Sequence, residues 1–145
     1  MARAYASAVI PAPIEKVWEV VRDFNGLPNW HPAIERSEIE DGRSADAVGA
    51  VRSFHLAAGG GHVREKLLSL DDTAFTLSYS FVKPAFPVEN YIARIALRPV
   101  SDSGETFAEW EAVFDEAPED RGKYGPVISE GVFAEGWAAL KRRFA

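Results

Sequence analysis

The 145-residue chain contains no cysteine. Disulfides, thiolate nucleophiles and thiolate metal centres are therefore excluded. Histidine is scarce too: His31, His55 and His62 are the only three, and none is paired at metal-ligand spacing. No metal site is expected. Positive charge is in deficit, with 16 Lys and Arg against 22 Asp and Glu and a net charge of −6. Such a field repels phosphate backbones, so nucleic-acid binding would need a concentrated basic patch. The one basic cluster, Lys141-Arg142-Arg143, ends a helical pattern, where cations offset the helix dipole. Long apolar runs are also missing: none approaches the ~20 residues of a membrane helix. Met1–Ile10 has no extended hydrophobic region of the secretory-leader kind. The expectation is a cytoplasmic protein that binds no nucleic acid and does not insert into membranes.

Two chemical signatures are missing as well. Gly59-Gly60-Gly61 joins two strand-like segments and has no Lys-Ser/Thr after it, so it reads as a hairpin tip and not a phosphate loop. No Ser-His-Asp arrangement can be assembled. The residues call for no cofactor.

What is present is an ordinary globular composition, 47% hydrophobic and 26% charged. At this length it suits one domain, residues 1–145, with a real core. Residues 3–10 read as a strand. Pro11-Ala12-Pro13 then opens a helix, and Ile14, Val17, Trp18, Val21 and Phe24 recur along it at helical spacing. Asn25-Gly26-Leu27-Pro28 ends that helix, and a short element with Trp30 and Pro32 follows. From about residue 33 to 116 the chain reads as six strands cut by glycine, proline and aspartate turns. Phe75, Leu77, Tyr79 and Phe81 alternate with Thr76, Ser78 and Ser80. Tyr91, Ala93, Ile95 and Leu97 form a second such face, and Trp110, Ala112 and Phe114 a third. Each implies a sheet with one wet face. A long helix over roughly 122–144 closes the chain, with Ile128, Val132, Phe133, Trp137, Leu140 and Phe144 as its apolar stripe. Gly131 and Gly136 are unusual inside it. Close packing against the sheet and room left for a ligand explain them equally well. The element order fits an α+β arrangement in which a curved antiparallel sheet of about seven strands wraps one long C-terminal helix.

One pair of charges breaks the apolar alternation. Arg52 shares a strand face with Phe54 and Leu56, and Glu65 shares one with Val63 and Leu67. If the intervening hairpin closes around Ala58 and Gly59, Arg52 falls opposite Glu65 and Phe54 opposite Val63. An ion pair stabilises a solid core little. An inward pair makes more sense where the face lines a cavity holding water or a polar ligand group.

Several segments then resemble the START/Bet v 1-like (SRPBCC) superfamily, and more narrowly its polyketide cyclase/dehydrase type 2 branch. They are Pro13-Ile14-Glu15-Lys16-Val17-Trp18, Trp30-His31-Pro32, Val48-Gly49-Ala50-Val51-Arg52, Arg64-Glu65-Lys66-Leu67 with Asp71-Asp72, Leu77-Ser78-Tyr79, Asn90-Tyr91 and Trp110-Glu111-Ala112-Val113-Phe114. The chain is also similar to plant abscisic-acid receptors and pathogenesis-related class 10 proteins. The resemblance implies a helix-grip fold, two short helices after the first strand, and a deep hydrophobic pocket between sheet and C-terminal helix. It implies two gating loops, Ala57–Gly61 and Lys83–Glu89, a pocket acid at Glu65 and a pocket tyrosine at Tyr91. It also shows departures. The receptors' anchoring lysine falls on Pro32 here, the second gating loop reads Pro84-Ala85-Phe86-Pro87-Val88 with no histidine or arginine, and a second pocket acid is replaced by Trp110.

The residues and the resemblance together nominate Trp30, Phe54, Leu56, Val63, Leu67, Tyr79, Phe81, Tyr91, Ala93, Trp110, Phe114, Ile128, Val132 and Gly136 as cavity liners that bind ligand. Glu65, Arg52 and Tyr91 are the catalytic candidates. Buried among aromatics, Glu65 gains acid/base character, which Arg52 opposes by holding it ionised; the alternative is a structural ion pair that sets strand register. His31, near the pocket mouth, is a candidate proton shuttle, and His55 is expected to face solvent.

Three functions follow as expectations. The first is binding of a small hydrophobic molecule, aromatic, polyketide- or lipid-like. The second is a cofactor-independent polyketide cyclase or dehydratase working through Glu65. The third is a stress-related interaction module with a vestigial pocket, for which Phe86 and Val88 would supply an exposed apolar patch; the alternative is that these two residues cap the pocket. A cavity of ~300 Å3 or more is the mark of the first two. The chain is expected to be a monomer, or a homodimer through an edge strand.

Overall fold

The computed structural model describes residues 1–145 throughout. Seven strands form one antiparallel sheet: β1 (Ala2–Ile10), β2 (Ile34–Ile39), β3 (Val51–Leu56), β4 (Gly61–Asp71), β5 (Thr76–Lys83), β6 (Val88–Pro99) and β7 (Thr106–Glu116). Their spatial order is β1-β7-β6-β5-β4-β3-β2, so every neighbour except the β1–β7 pair is also a neighbour in sequence. This is the α+β helix-grip arrangement that the element order predicts. Alternation fixes which face is inside: β7 buries every second residue from Thr106 to Phe114.

Between β1 and β2 lie helix α1 (Ile14–Val21) and a 3-10 helix, Phe24–Asn29. The sequence stripe continues through Phe24, yet α1 stops at Val21. Pro28 sits within the 3-10 segment, which removes an amide donor and favours a tight, short element. Asp72, in the β4–β5 turn, ties α1 to the sheet by accepting from Trp18 Nε1 at 2.8 Å and Arg22 Nε at 2.8 Å.

The C-terminal helical path runs from Tyr124 to Phe144 and is not uniform. Helix α2 (Tyr124–Ile128) passes into a π-helical segment (Ser129–Ala134) and then into α3 (Glu135–Phe144). The spacing of buried residues gives the reason. Ile128 and Phe133 are both fully buried and five residues apart, whereas Trp137 and Leu140 follow at spacings of four and three. One π turn keeps all four on the inner face.

The helix also seals one edge of the sheet. Tyr5 donates its amide to Ser129 Oγ at 2.9 Å, and Trp137 Nε1 donates to the Ala6 carbonyl at 3.1 Å. The opposite edge is β2, which carries Glu35, Arg36 and Glu38, the charged kind of edge that resists strand addition. Beneath the helix the sheet is floored with small residues: Ala4 pairs with Ala112, which pairs on its other side with Ala93. That floor leaves room for large rings above it. No helix is long and apolar enough to cross a membrane.

Candidate functional site

The β3–β4 hairpin places the charge pair. Its tip is Ala57–Gly59, with Ala58 and Gly59 both at positive φ (57° and 72°), and the strands register Arg52 on Glu65 and Phe54 on Val63. Those are the pairings expected from a closure around Ala58 and Gly59. Each charged residue is only 5% exposed. Arg52 Nε and Nη2 both donate to Glu65 Oε1, at 2.9 and 2.7 Å, and Nη1 donates to the Phe24 carbonyl at 2.9 Å. The guanidinium also lies 3.9 Å from the Phe24 ring centre and 4.8 Å from that of Tyr79, an arrangement in which ring quadrupoles favour the cation.

The pair borders a cavity between the sheet and the C-terminal helix. Besides Arg52 and Glu65, its walls are Phe54 and Leu56 of β3, Tyr79 and Phe81 of β5, Tyr91 of β6, Trp110 of β7 and Val132 of the π segment. Leu27, His31, Ala33 and Ile34 close it on the side of the 3-10 helix and β2, and Ala85 and Phe86 on the side of the β5–β6 loop. Its volume is about 60 Å3. That is far below the ~300 Å3 expected of a ligand pocket, and below the roughly 150 Å3 that accommodates benzene in a protein core.

A ring cluster accounts for the small volume. Trp110 stacks on Phe133 with centroids 4.6 Å apart, Trp30 stacks on Trp137 at 6.2 Å, and Trp30 and Trp110 approach to 5.9 Å. His31 meets Trp110 edge-on at 6.2 Å. These rings fill the space under the helix that a ligand would otherwise take.

The nominated liners therefore divide. Phe54, Leu56, Tyr79, Phe81, Tyr91, Trp110 and Val132 stand on the cavity wall, as do Glu65 and Arg52. Trp30, Val63, Leu67, Ala93, Phe114, Ile128 and Gly136 do not; they are buried in the packed core around it. Gly136 resolves its two readings in favour of packing, because a β-carbon there would come within 2.9 Å of His31 Cδ2 and 2.9 Å of Trp110 Cζ3. Phe86 and Val88 form no exposed patch: Phe86 lines the cavity and leans on Tyr124 with centroids 5.9 Å apart, and Val88 is buried.

Sequence reasoning left Leu27, Ala33 and Ile34 out of the lining, and reached Ala85 and Phe86 only as part of the second gating loop, with Phe86 as a cap on the pocket. The aromatic Phe86 between Pro84 and Pro87 was the available signal. The 3-10 residues carried none, because their inward turn depends on where α1 stops. His55 and His62 stack at 4.9 Å outside the cavity, with His62 Nε2 2.6 Å from Ser53 Oγ. No group of three or more His, Asp and Glu is placed to hold a metal ion.

Electrostatics follow from burial. Loss of water pushes the Glu65 carboxyl above the usual carboxylate range, and the Arg52 guanidinium opposes that rise without cancelling it. Burial also raises the Tyr79 and Tyr91 phenols, so both stay protonated at neutral pH. Tyr79 accepts from Trp110 Nε1 at 3.0 Å. Burial lowers the His31 imidazole below its ordinary value, although the Val132 carbonyl at 2.7 Å partly restores it. The wall thus holds a carboxylate–guanidinium pair, two phenols and a neutral imidazole within an otherwise apolar surface.

A seven-stranded sheet gripping a C-terminal helix, with a cavity between them, defines a Bet v 1-like protein. The chain belongs to the polyketide cyclase / dehydrase and lipid transport family, which it matches along residues 1–145. It is 31% identical to the abscisic acid receptor PYL10 of Arabidopsis thaliana over 99 residues, 67% of this chain. The match spans about half (53%) of that relative's length. A solution structure from Thermobifida fusca is 34% identical, with a TM-score of 0.89 over 99% of this chain and 93% of that one. Norcoclaurine synthase of Thalictrum flavum shares the fold at 18% identity, with a TM-score of 0.76 over 98% of this chain and 92% of that one.

Proposed function

We propose that the protein binds a small hydrophobic molecule, aromatic, polyketide- or lipid-like, in the cavity between the sheet and the C-terminal helix. The carrying observation is a largely apolar wall interrupted by a few buried polar groups, of which the Arg52–Glu65 pair is the charged one. Apolar burial supplies affinity in such a site, and a few polar groups fix orientation. The family supports the reading, and so does a relative that is a receptor for abscisic acid. That hormone is not carried over, since Pro32 and Trp110 replace the receptors' lysine and second acid.

At about 60 Å3 the cavity as it stands is too small for a ring. Binding on this proposal needs the wall to open, and the β5–β6 loop, which contributes Ala85 and Phe86 to it, is the segment proposed to move. Loops of this kind gate access in many binding proteins and enzymes.

Native mass spectrometry of the purified protein, followed by thermal melts against aromatic and polyketide-like compounds, tests the proposal. A ligand at ~100 times its Kd adds about 2.7 kcal/mol, roughly 5–10 °C at this chain length. An empty protein that no compound stabilises would move the weight to the interaction-module reading.

The raised Glu65 carboxyl favours a second reading, a cofactor-independent cyclase or dehydratase in which Glu65 moves protons and Tyr91 and Arg52 assist. Glu65→Gln separates the two. Turnover through Glu65 falls about 100-fold or more, whereas simple binding of an apolar probe such as toluene changes modestly.

A further inference from the structure

The polar end of the cavity is charged in parts and neutral as a whole, and this bears on the ligand's chemistry. A guanidinium carries five N–H donors on three nitrogens. In Arg52 three of these are used, one on each nitrogen: Nε and Nη2 donate to Glu65 Oε1 and Nη1 to the Phe24 carbonyl, which leaves one N–H on each Nη. Two rings also lie against the guanidinium, Phe24 at 3.9 Å and Tyr79 at 4.8 Å. No other cationic side chain lines the cavity, and the imidazole of His31 is committed through both nitrogens, to Val132 O at 2.7 Å and to the Ala33 amide at 3.1 Å. An anionic ligand group would be stripped of water there and would meet a cation already neutralised at 2.7 Å by its own carboxylate.

What remains on offer differs. Both Arg52 bonds land on Oε1 of Glu65, so Oε2 is the oxygen left to accept. The Tyr91 phenol, on the same wall, is hydrogen-bonded to the Tyr79 phenol and offers a ligand only what that bond leaves over. Building on the binding function proposed above, we infer that the cavity selects a ligand with an uncharged, hydrogen-bond-donating polar group, a phenol, alcohol or primary amide, and rejects the matching carboxylate. The Arg52–Glu65 pair is then a specificity device: Glu65 keeps Arg52 from capturing anions and offers its second oxygen to a donor.

A charge-only comparison tests this. Single-ring probes are the smallest that carry the group and ask for the least opening of the cavity, and 4-methylbenzamide and 4-methylbenzoate have nearly the same shape but differ by one charge at pH 7. Titration calorimetry of the wild-type chain with both, with p-cresol, and with toluene as the purely apolar control should show the amide and the phenol binding at least about tenfold tighter than the benzoate. Glu65→Gln keeps an acceptor oxygen for Arg52 but removes the neutralising charge, and should reverse the order, giving the benzoate the advantage. A wild-type chain that takes the benzoate as tightly as the amide overturns the inference and leaves hydrophobic binding intact. Failure of all four probes overturns the inference, while the mass spectrometry and compound panel described above decide the binding function separately. A folded Glu65→Gln protein with unchanged preference also overturns it, since the discrimination would not come from the pair. If that variant does not fold, the wild-type comparison decides alone.

Discussion

His31 and Val132 join the turn before β2 to the π segment of the C-terminal helix, with imidazole Nε2 2.7 Å from the Val132 carbonyl oxygen. Nδ1 accepts the Ala33 amide at 3.1 Å. The two bonds together require a neutral ring with its hydrogen on Nε2, because a second proton would point at the Ala33 N–H. A proton shuttle must release and regain that hydrogen, so His31 in this arrangement is better placed to hold the helix than to move protons.

Burial lowers the His31 pKa from its ordinary value, and the sign of the consequence is fixed. In the unfolded chain the ring takes up a proton near pH 6.5; in the folded chain it does so only at lower pH. The unfolded state therefore binds more protons as pH falls, and stability is lost from about pH 7 downward. Urea unfolding at pH 7.5 and pH 5.5 should show a steeper loss for the wild type than for His31→Asn. Glu40, Asp72 and Glu116, whose pKa values are lowered, act in a more acidic range and in both proteins alike. Equal losses in the two proteins would show that the ring titrates freely.

How far the sequence carries can be judged from such residues. The inward Arg52–Glu65 register was readable because period-two alternation leaves one choice of face and the glycine-rich turn leaves few closures. The number of strands was readable from the turn residues, but their spatial order was not, because alternation does not say that β1 pairs with β7. Cavity size was not readable. It depends on how Trp30, Trp110, Phe133 and Trp137 tilt against one another, and alternation says only that they point inward. The π segment was half visible in the spacing of Ile128 and Phe133. Gly136 had two readings that only the neighbouring rings could separate.

Tyr79 and Trp110 share a buried bond, indole Nε1 donating to the phenol oxygen at 3.0 Å. Tyr79→Phe keeps the ring and leaves that donor without its acceptor. The expected loss is about 1–3 kcal/mol, read as a lower urea midpoint with an unchanged slope. A midpoint within error of the wild type would mean that the indole N–H finds another partner.

Arg52 and Glu65 should behave asymmetrically in stability. Removing either alone strands a charge that is 5% exposed, and about 3–5 kcal/mol should be lost in Arg52→Met or Glu65→Leu. Removing both leaves no orphan, and the double variant should regain most of that loss or match the wild type. The measurement is a double-mutant cycle by urea unfolding. Additive single losses would mean that the two side chains are not coupled and that each stabilises the fold through contacts other than its partner.

Gly131 and Gly136 lie five residues apart on one helical path and should answer the same substitution with opposite signs. Alanine is favoured over glycine in a helix by about 1 kcal/mol. At Gly131 nothing lies within 4 Å of the added methyl and φ is not positive, so Gly131→Ala should gain up to about that amount. At Gly136 the methyl would come within 2.9 Å of both the His31 and Trp110 rings and 3.2 Å of Trp30. Those rings are held by each other and by the His31–Val132 bond, so they have little freedom to retreat. Overpacking of this kind costs about 1–3 kcal/mol, which outweighs the propensity gain. Paired thermal melts should therefore show Gly131→Ala at or above the wild type and Gly136→Ala below it. A stabilised Gly136→Ala would mean that the ring cluster yields, and a cluster that yields to a methyl group could also open for a ligand.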